Sequence, residues 1–424
     1  MQKKEQFQKA LLLAAFLFFI FGFLTWVNGT LIAFFKKTFE LNHFNSYLVT
    51  FAYYLSYTLM AIPSSMVLKK IGFKNGMSTG LLIMATGCGL FIPAAKLASY
   101  PIFLVGLFTT GIGLTLLQTA INPYVTLMGP HESGAKRISF MGFSNKIGGI
   151  IGQLVLGSIL LHGATNIVQQ DELNKIIFPY LIITALFVVM SFILKKNNWF
   201  PEIEEEKEEH EILSTHNDKK NVFQFPNLVL GVIALFCAGA TEVMAIDSII
   251  NYGMSLGFPE TRAKLFGSYT LIAMIMGYLS GMILIPKYIK QENFLKYGAI
   301  TGSILTVLVI YSHSSVSVFM VALLGFVNAL FWPAIWPLAL EGLGRFVKVG
   351  SALLIMSVVA GAVVPLLYGL IADTIDSTQK AYWIIMPCYL FIVYYGYFGH
   401  KIKNWDKKSQ QHEQKKYKWK DHLG

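Results

Sequence analysis

Charge is scarce in this chain. Asp, Glu, Lys and Arg supply 13% of its 424 residues, where a soluble globular domain carries about 25%. Cysteine is nearly absent. Cys88, Cys237 and Cys388 are odd in number and sit inside apolar runs, which excludes a disulfide framework and reads as small buried hydrophobes. Walker A, HExxH and CxxC patterns are all missing, so the sequence gives enzymatic chemistry no visible support. What remains is 54% apolar. A soluble core rarely grows past about 250–300 residues, and no second soluble core is visible. The composition is that of an all-α polytopic membrane protein.

Apolar runs of the roughly 20 residues needed to cross a bilayer recur twelve times. They fall near 10–35, 45–68, 76–95, 99–128, 138–161, 176–194, 227–257, 264–286, 295–312, 316–341, 349–372 and 380–400. The first is too long for a cleavable signal, and Lys36, Lys37 and Glu40 follow it in place of a small-residue cleavage site. One long hydrophilic stretch, Lys195 to Asn227, interrupts the series and carries the acidic block Glu202–Glu211, which reads as a solvated linker. The expected domains are a six-helix bundle over 1–195, a linker over 196–226, a second six-helix bundle over 227–402 and a basic tail over 403–424.

Alternate loops differ sharply in basic residues. The side holding both termini and the linker carries 26 Lys and Arg, the opposite side 7, and Lys146 alone lies within a span. By the positive-inside rule both termini are cytoplasmic. The net charge of +11 is thereby explained without a nucleic-acid partner. An offset of 214 residues carries Asn122-Pro123 onto Trp336-Pro337, Asn28 onto Glu242 and Gln118 onto Trp332, which points to a parallel duplication of the two halves.

Ionisable groups inside a span are candidate functional residues, because they are costly unless paired or hydrated. Lys146 lies nine residues past Arg137, roughly 13 Å deep in a core about 30 Å thick. Glu242 and Asp247 lie midway along the seventh run. For Lys146 two readings stay open: an ion pair with Glu242 that fixes packing, or a coupling residue. The uncharged polar set comprises Asn28, Gln118, Asn122, Asn145, Asn251 and Asn328, with Trp26, Trp332 and Trp336. Amides offer donors and acceptors, and indole faces stack on the C–H face of a pyranose, a pairing suited to a neutral polyhydroxylated ligand. Interhelical hydrogen bonding is the alternative for any one of these amides. Glycines 148, 149, 152 and 157, with Gly350 and Gly361, form small-residue faces for close helix packing.

Five segments resemble the major facilitator superfamily, and within it the fucose/galactose/glucose symporter family. They are Phe18–Leu41 (FFIFGFLTWVNGTLIAFFKKTFEL), Leu116–Pro130 (LLQTAINPYVTLMGP), Glu132–Gly149, Ala240–Gly253 and Gly350–Asp373. The superfamily's basic loop is degenerate here: Leu68–Gly76 (LKKIGFKNG) keeps its lysines and lacks the acidic residue. The resemblance implies twelve transmembrane helices in two six-helix pseudo-repeats, rocking about a sugar held between spans one, four, five, seven and ten. Proton-coupled fucose permeases carry Asp after the span-one Asn and Glu in span four. Gly29 and Gln118 stand there in this chain, closer in the latter to glucose- and galactose-type members.

The expectation is a secondary active importer of a neutral sugar of the glucose/galactose or N-acetylglucosamine type, coupled to H⁺ or Na⁺ and needing no other cofactor or metal. It would act as a monomer in the bacterial inner membrane. Asn28, Gln118, Asn122, Asn145, Asn328 and Trp332 are the candidate sugar-binding set. With both family carboxylates gone, Glu242, Lys146 and Asp247 are the candidate coupling set. Glu242 would take the cation or proton, and Lys146 would partner it in the unloaded state. Competing readings are a fucose-type symporter, an uncoupled facilitator, an exporter and a non-transporting sensor. The last would be expected to bring a larger output domain than a 24-residue tail, and the glycine-proline motif of superfamily antiporters is missing from span five.

Overall fold

The computed structural model describes residues 2–127, 134–162, 169–196, 221–284 and 288–405. The acidic block Glu202–Glu211 and most of the basic tail lie outside them. Among the described residues there is helix and no strand. In a bilayer this is what backbone chemistry demands, since a helix satisfies its own N–H and C=O groups where no water can.

Nine described stretches are long and apolar enough to cross a membrane. One of them, Leu48–Lys96, is two spans, because the chain turns at Gly72 with φ 78°, a conformation glycine adopts without strain. Phe266–Leu284 and the run from Tyr382 through Met386–Tyr397 bring the spans to the expected twelve. The three cysteines are buried and free, as their apolar surroundings suggest.

The first, seventh and tenth are among the spans interrupted within their length. The first divides into Gln2–Thr25 and Asn28–Thr38, the seventh into Pro226–Asp247 and Ile249–Ser255, and the tenth into Ser314–Asn328 and Phe331–Leu340. Each break has a local cause or a local remedy. Pro333 has no N–H for the carbonyl of Ala329 and its ring crowds that carbonyl. The Ser248 hydroxyl donates back to the Met244 carbonyl, competing with the helix for it. At the first break the carbonyl of Trp26 accepts from Gln153 Nε2 at 2.7 Å, so it is not left unpaired.

Small residues let the spans approach closely where apolar side chains gain little by leaving lipid. A Cβ at Gly148 would overlap the Phe19 carbonyl, and one at Gly22 the Asn145 carbonyl. The first and fifth spans therefore touch backbone to backbone. Gly152 against Phe23 extends the same seam, in keeping with the small-residue face read from the sequence.

Trp405 Nε1 donates to the Phe223 carbonyl at 3.0 Å, placing the end of the described chain beside the linker's exit. This is the linker end of the molecule. Described hydrogen bonds and ion pairs between the halves lie at mid-depth or toward the far end. Asn122 of the fourth span and Pro333 and Pro337 of the tenth, nearer the linker end, are exposed.

Candidate functional site

At mid-depth the fifth and seventh spans are joined by an ion pair. Lys146 Nζ lies 2.9 Å from Glu242 Oε1, with both side chains buried. The ammonium also sits 3.7 Å from the centroid of the Trp26 ring, a cation–π contact in a desolvated place. Trp26 in turn donates from Nε1 to Asn145 Oδ1 at 2.9 Å, and it shares one buried apolar cluster with Ile246, Leu271, Met274 and Ala329 of the other half. Lys146, Glu242, Trp26 and Asn145 thus form one connected unit across the two halves. Both readings of Lys146 called for a buried partner, and Glu242 is that partner.

Asp247 is different. It is fully buried at the seventh-span break, and neither carboxylate oxygen has a side-chain hydrogen-bond partner, although the backbone N–H of Gly29 approaches it. Beside it the first span begins again at Asn28, 1% exposed, whose amide oxygen and nitrogen have no close hydrogen-bond partner. A Cβ on Gly29 would lie 3.0 Å from the Asp247 carbonyl oxygen. That close approach of two backbones is the physical reason for glycine at this position.

The structure distributes the six candidate sugar-binding residues over several places. Asn145 spends both ends of its amide inside the protein, its Nδ2 donating to the Phe18 carbonyl at 3.4 Å. Asn328 accepts from Tyr389 Oη at 2.9 Å within the second half. Gln118 is half-buried and borders a crevice with Leu17, Phe18, Phe21, Leu117 and Ile121, too narrow to admit water. Asn122 is exposed, and Trp332 is half-buried with its ring stacked on Trp336 at 5.9 Å. Asn28 and Asn145 therefore belong to the mid-depth junction and Asn328 to the core of the second half. Gln118, Asn122 and Trp332 keep partly accessible side chains on spans four and ten.

The far end is closed by contacts the sequence did not single out. Asp373 accepts from the backbone N–H groups of His43 and Phe44 at 2.9 and 2.7 Å, satisfying two donors at the start of the short helix His43–Ser46. Lys37 pairs with Glu260 at 2.6 Å, and Tyr47 packs edge-on against Tyr368 with centroids 5.4 Å apart. Asn251 Nδ2 donates to His43 Nδ1 at 3.3 Å, which requires a neutral imidazole. Burial and then the Lys36 ammonium hold the His43 pKa down at about 4, against smaller opposing pulls from Asp373 and Asp376. Apart from Asn251 and Tyr368, these are loop residues and helix ends, where charge is unremarkable in a sequence. Only the pairing of one half's carboxylate with the other half's helix terminus gives them meaning.

A family model described as Major Facilitator Superfamily matches residues 14–378. The glucose/galactose transporter of Brucella abortus biovar 1 (strain 9-941) is 32% identical over 393 residues, covering 91% of this chain and 92% of its own length. The L-fucose-proton symporter of Escherichia coli (strain K12) is 27% identical over 413 residues, covering 90% and 91%. The crystal structure of the E. coli fucose:proton symporter superposes with a TM-score of 0.68 at 24% identity, over 92% of this chain and 98% of that one.

Proposed function

Because the chain belongs to the major facilitator superfamily, we propose that it is a secondary transporter importing a neutral sugar of the glucose/galactose or N-acetylglucosamine type by alternating access, driven by H⁺ or Na⁺. One observation carries the reading. The described polar contacts between the halves run from mid-depth to the far end, which leaves the cleft to open at the linker end. Gln118, Asn122 and Trp332 sit on spans four and ten, where a sugar entering that cleft meets amide donors, amide acceptors and an indole face. With the linker end cytoplasmic, as the count of basic residues implies, this is the inward-facing arm of the cycle. The protein then acts as a multi-pass inner-membrane monomer.

Two kinds of contact divide the labour. The Lys146–Glu242 pair and the Trp26 ring hold the middle, where a lone charge is too costly to tolerate. The Asp373, Lys37 and His43 contacts close the far end and must break for the alternate state to form. The test is counterflow in proteoliposomes preloaded with D-glucose, D-galactose, N-acetyl-D-glucosamine or L-fucose. Trans-stimulated uptake of a hexose or N-acetylhexosamine is expected, followed by accumulation under an imposed H⁺ or Na⁺ gradient. Absence of trans-stimulation by every sugar would overturn the reading, and exchange without accumulation would mark a facilitator.

A further inference from the structure

The buried charges at mid-depth do not balance. Lys146 cancels Glu242, and Asp247 leaves one negative charge in excess. An ionised carboxylate with no side-chain partner in an apolar interior is one of the costliest groups a fold can hold, so it is neutralised in practice. Around it, neighbouring side chains offer oxygens with no close hydrogen-bond partner outside the cluster, Asn28 and Tyr54 lying near each other. These oxygens are Asn28 Oδ1 and the Tyr54 hydroxyl, with the Thr30 hydroxyl on the same helix as Asn28. All three residues are buried and belong to the first half, whereas Asp247 belongs to the second.

We propose that Asp247, with Asn28 Oδ1 and the Tyr54 hydroxyl beside it, binds one monovalent cation, H⁺ or Na⁺, and that the far end closes only around the occupied carboxylate. The proposal rests on the transport reading above and names the residue at which it is energised. It moves the coupling charge from Glu242, already neutralised by Lys146, to the carboxylate one and a half turns further along the span. A proton would convert the carboxylate to the neutral acid. Na⁺ would be held by hard oxygen donors with no bond made or broken.

Geometry supplies the coupling. Gly29 and Asp247 touch backbone to backbone, so the carboxylate loses its water when the halves meet and regains it when they part at the far end. An unoccupied Asp247 therefore opposes closure by its dehydration cost, and an occupied one does not. This is a rule that keeps sugar from crossing without the cation. The other charged or titratable groups around it are Glu242 and Lys146, the tyrosines 47, 53 and 54 of the second span, and Tyr382, hydrogen-bonded to the adjacent Ser248.

Asp247→Asn makes the site permanently neutral. In proteoliposomes it should keep sugar counterflow while gradient-driven accumulation falls to an inside/outside ratio of one. Wild-type accumulation driven by an Na⁺ gradient at uniform pH, or by a pH gradient without Na⁺, identifies the cation. Accumulation by Asp247→Asn equal to wild type would overturn the proposal. A second measurement keeps Asp247 intact and uses no sugar. Spin labels at positions 97 and 311 report the far-end distance in NaCl against choline chloride, and at pH 9 against pH 7. The closed fraction should rise with one of the two cations, and a fraction indifferent to both would also overturn it. Failure of counterflow in wild type would instead sink the sugar reading while leaving this measurement valid.

Discussion

Replacing Asp373 by Asn should open the far end. Its carboxylate accepts two backbone N–H groups, from His43 at 2.9 Å and Phe44 at 2.7 Å, and so caps a helix of the opposite half. Hydrogen bonds to a charged group contribute about 1.5–3 kcal/mol each. The site is only half-buried, and solvent screening favours the low end of that range. Asn retains one acceptor oxygen and loses the charge, so the net loss is about 1.5 kcal/mol, close to a tenfold change in the ratio of far-end-closed to far-end-open molecules. Asp373→Ala removes both acceptors and should shift the ratio further. Leu97 and Tyr311 are exposed at the far end of the two halves, 68% and 74% respectively, and accept spin labels as cysteines. Pulsed electron–electron distance measurements between them should show a longer-distance population growing in the order wild type, Asn, Ala. Identical distance distributions in all three would refute the capping account.

Other outcomes follow from the same geometry. His43 is held neutral in the closed state, with a pKa of about 4 against an ordinary value near 6.5, so its protonation between pH 7 and 5 favours the open far end. His43→Gln lacks that pull and should stay more closed than its parent over that interval in the same distance measurement. Glu242→Gln leaves Lys146 buried and unpaired and should destabilise the detergent-solubilised protein by about 3–5 kcal/mol, most of it recovered in Lys146→Met/Glu242→Gln; equal unfolding midpoints would remove the pair as a structural element. Gln118→Ala should weaken sugar affinity several-fold or more, since a lost hydrogen bond to a buried sugar hydroxyl costs about 1–3 kcal/mol. Unchanged affinity in the purified variant would take Gln118 out of the site.

The number of spans and the isolation of the three mid-membrane charges were legible in the chain itself. Hydrophobic length in a bilayer is a local property, and a charge within an apolar run declares its cost without reference to neighbours. The glycine seam between the first and fifth spans was likewise readable, because small residues have one principal use between membrane helices. What the tertiary structure decided was which polar groups satisfy each other. Asn145 and Asn328 carry the same amide as Asn28, yet Asn145 is consumed by Trp26 and Phe18, Asn328 accepts from Tyr389, and Asn28 has no close partner beside Asp247. Glu242 and Asp247 are five residues apart on one span, and only the position of Lys146 on another span pairs one and leaves the other without a side-chain partner. The break at Ser248 and the far-end cap by Asp373 depend on a hydroxyl and a carboxylate whose partners lie, respectively, one turn back and some 330 residues away. Burial and solvation are set by sequence patterns; pairing is a matter of three-dimensional adjacency, which no span encodes alone.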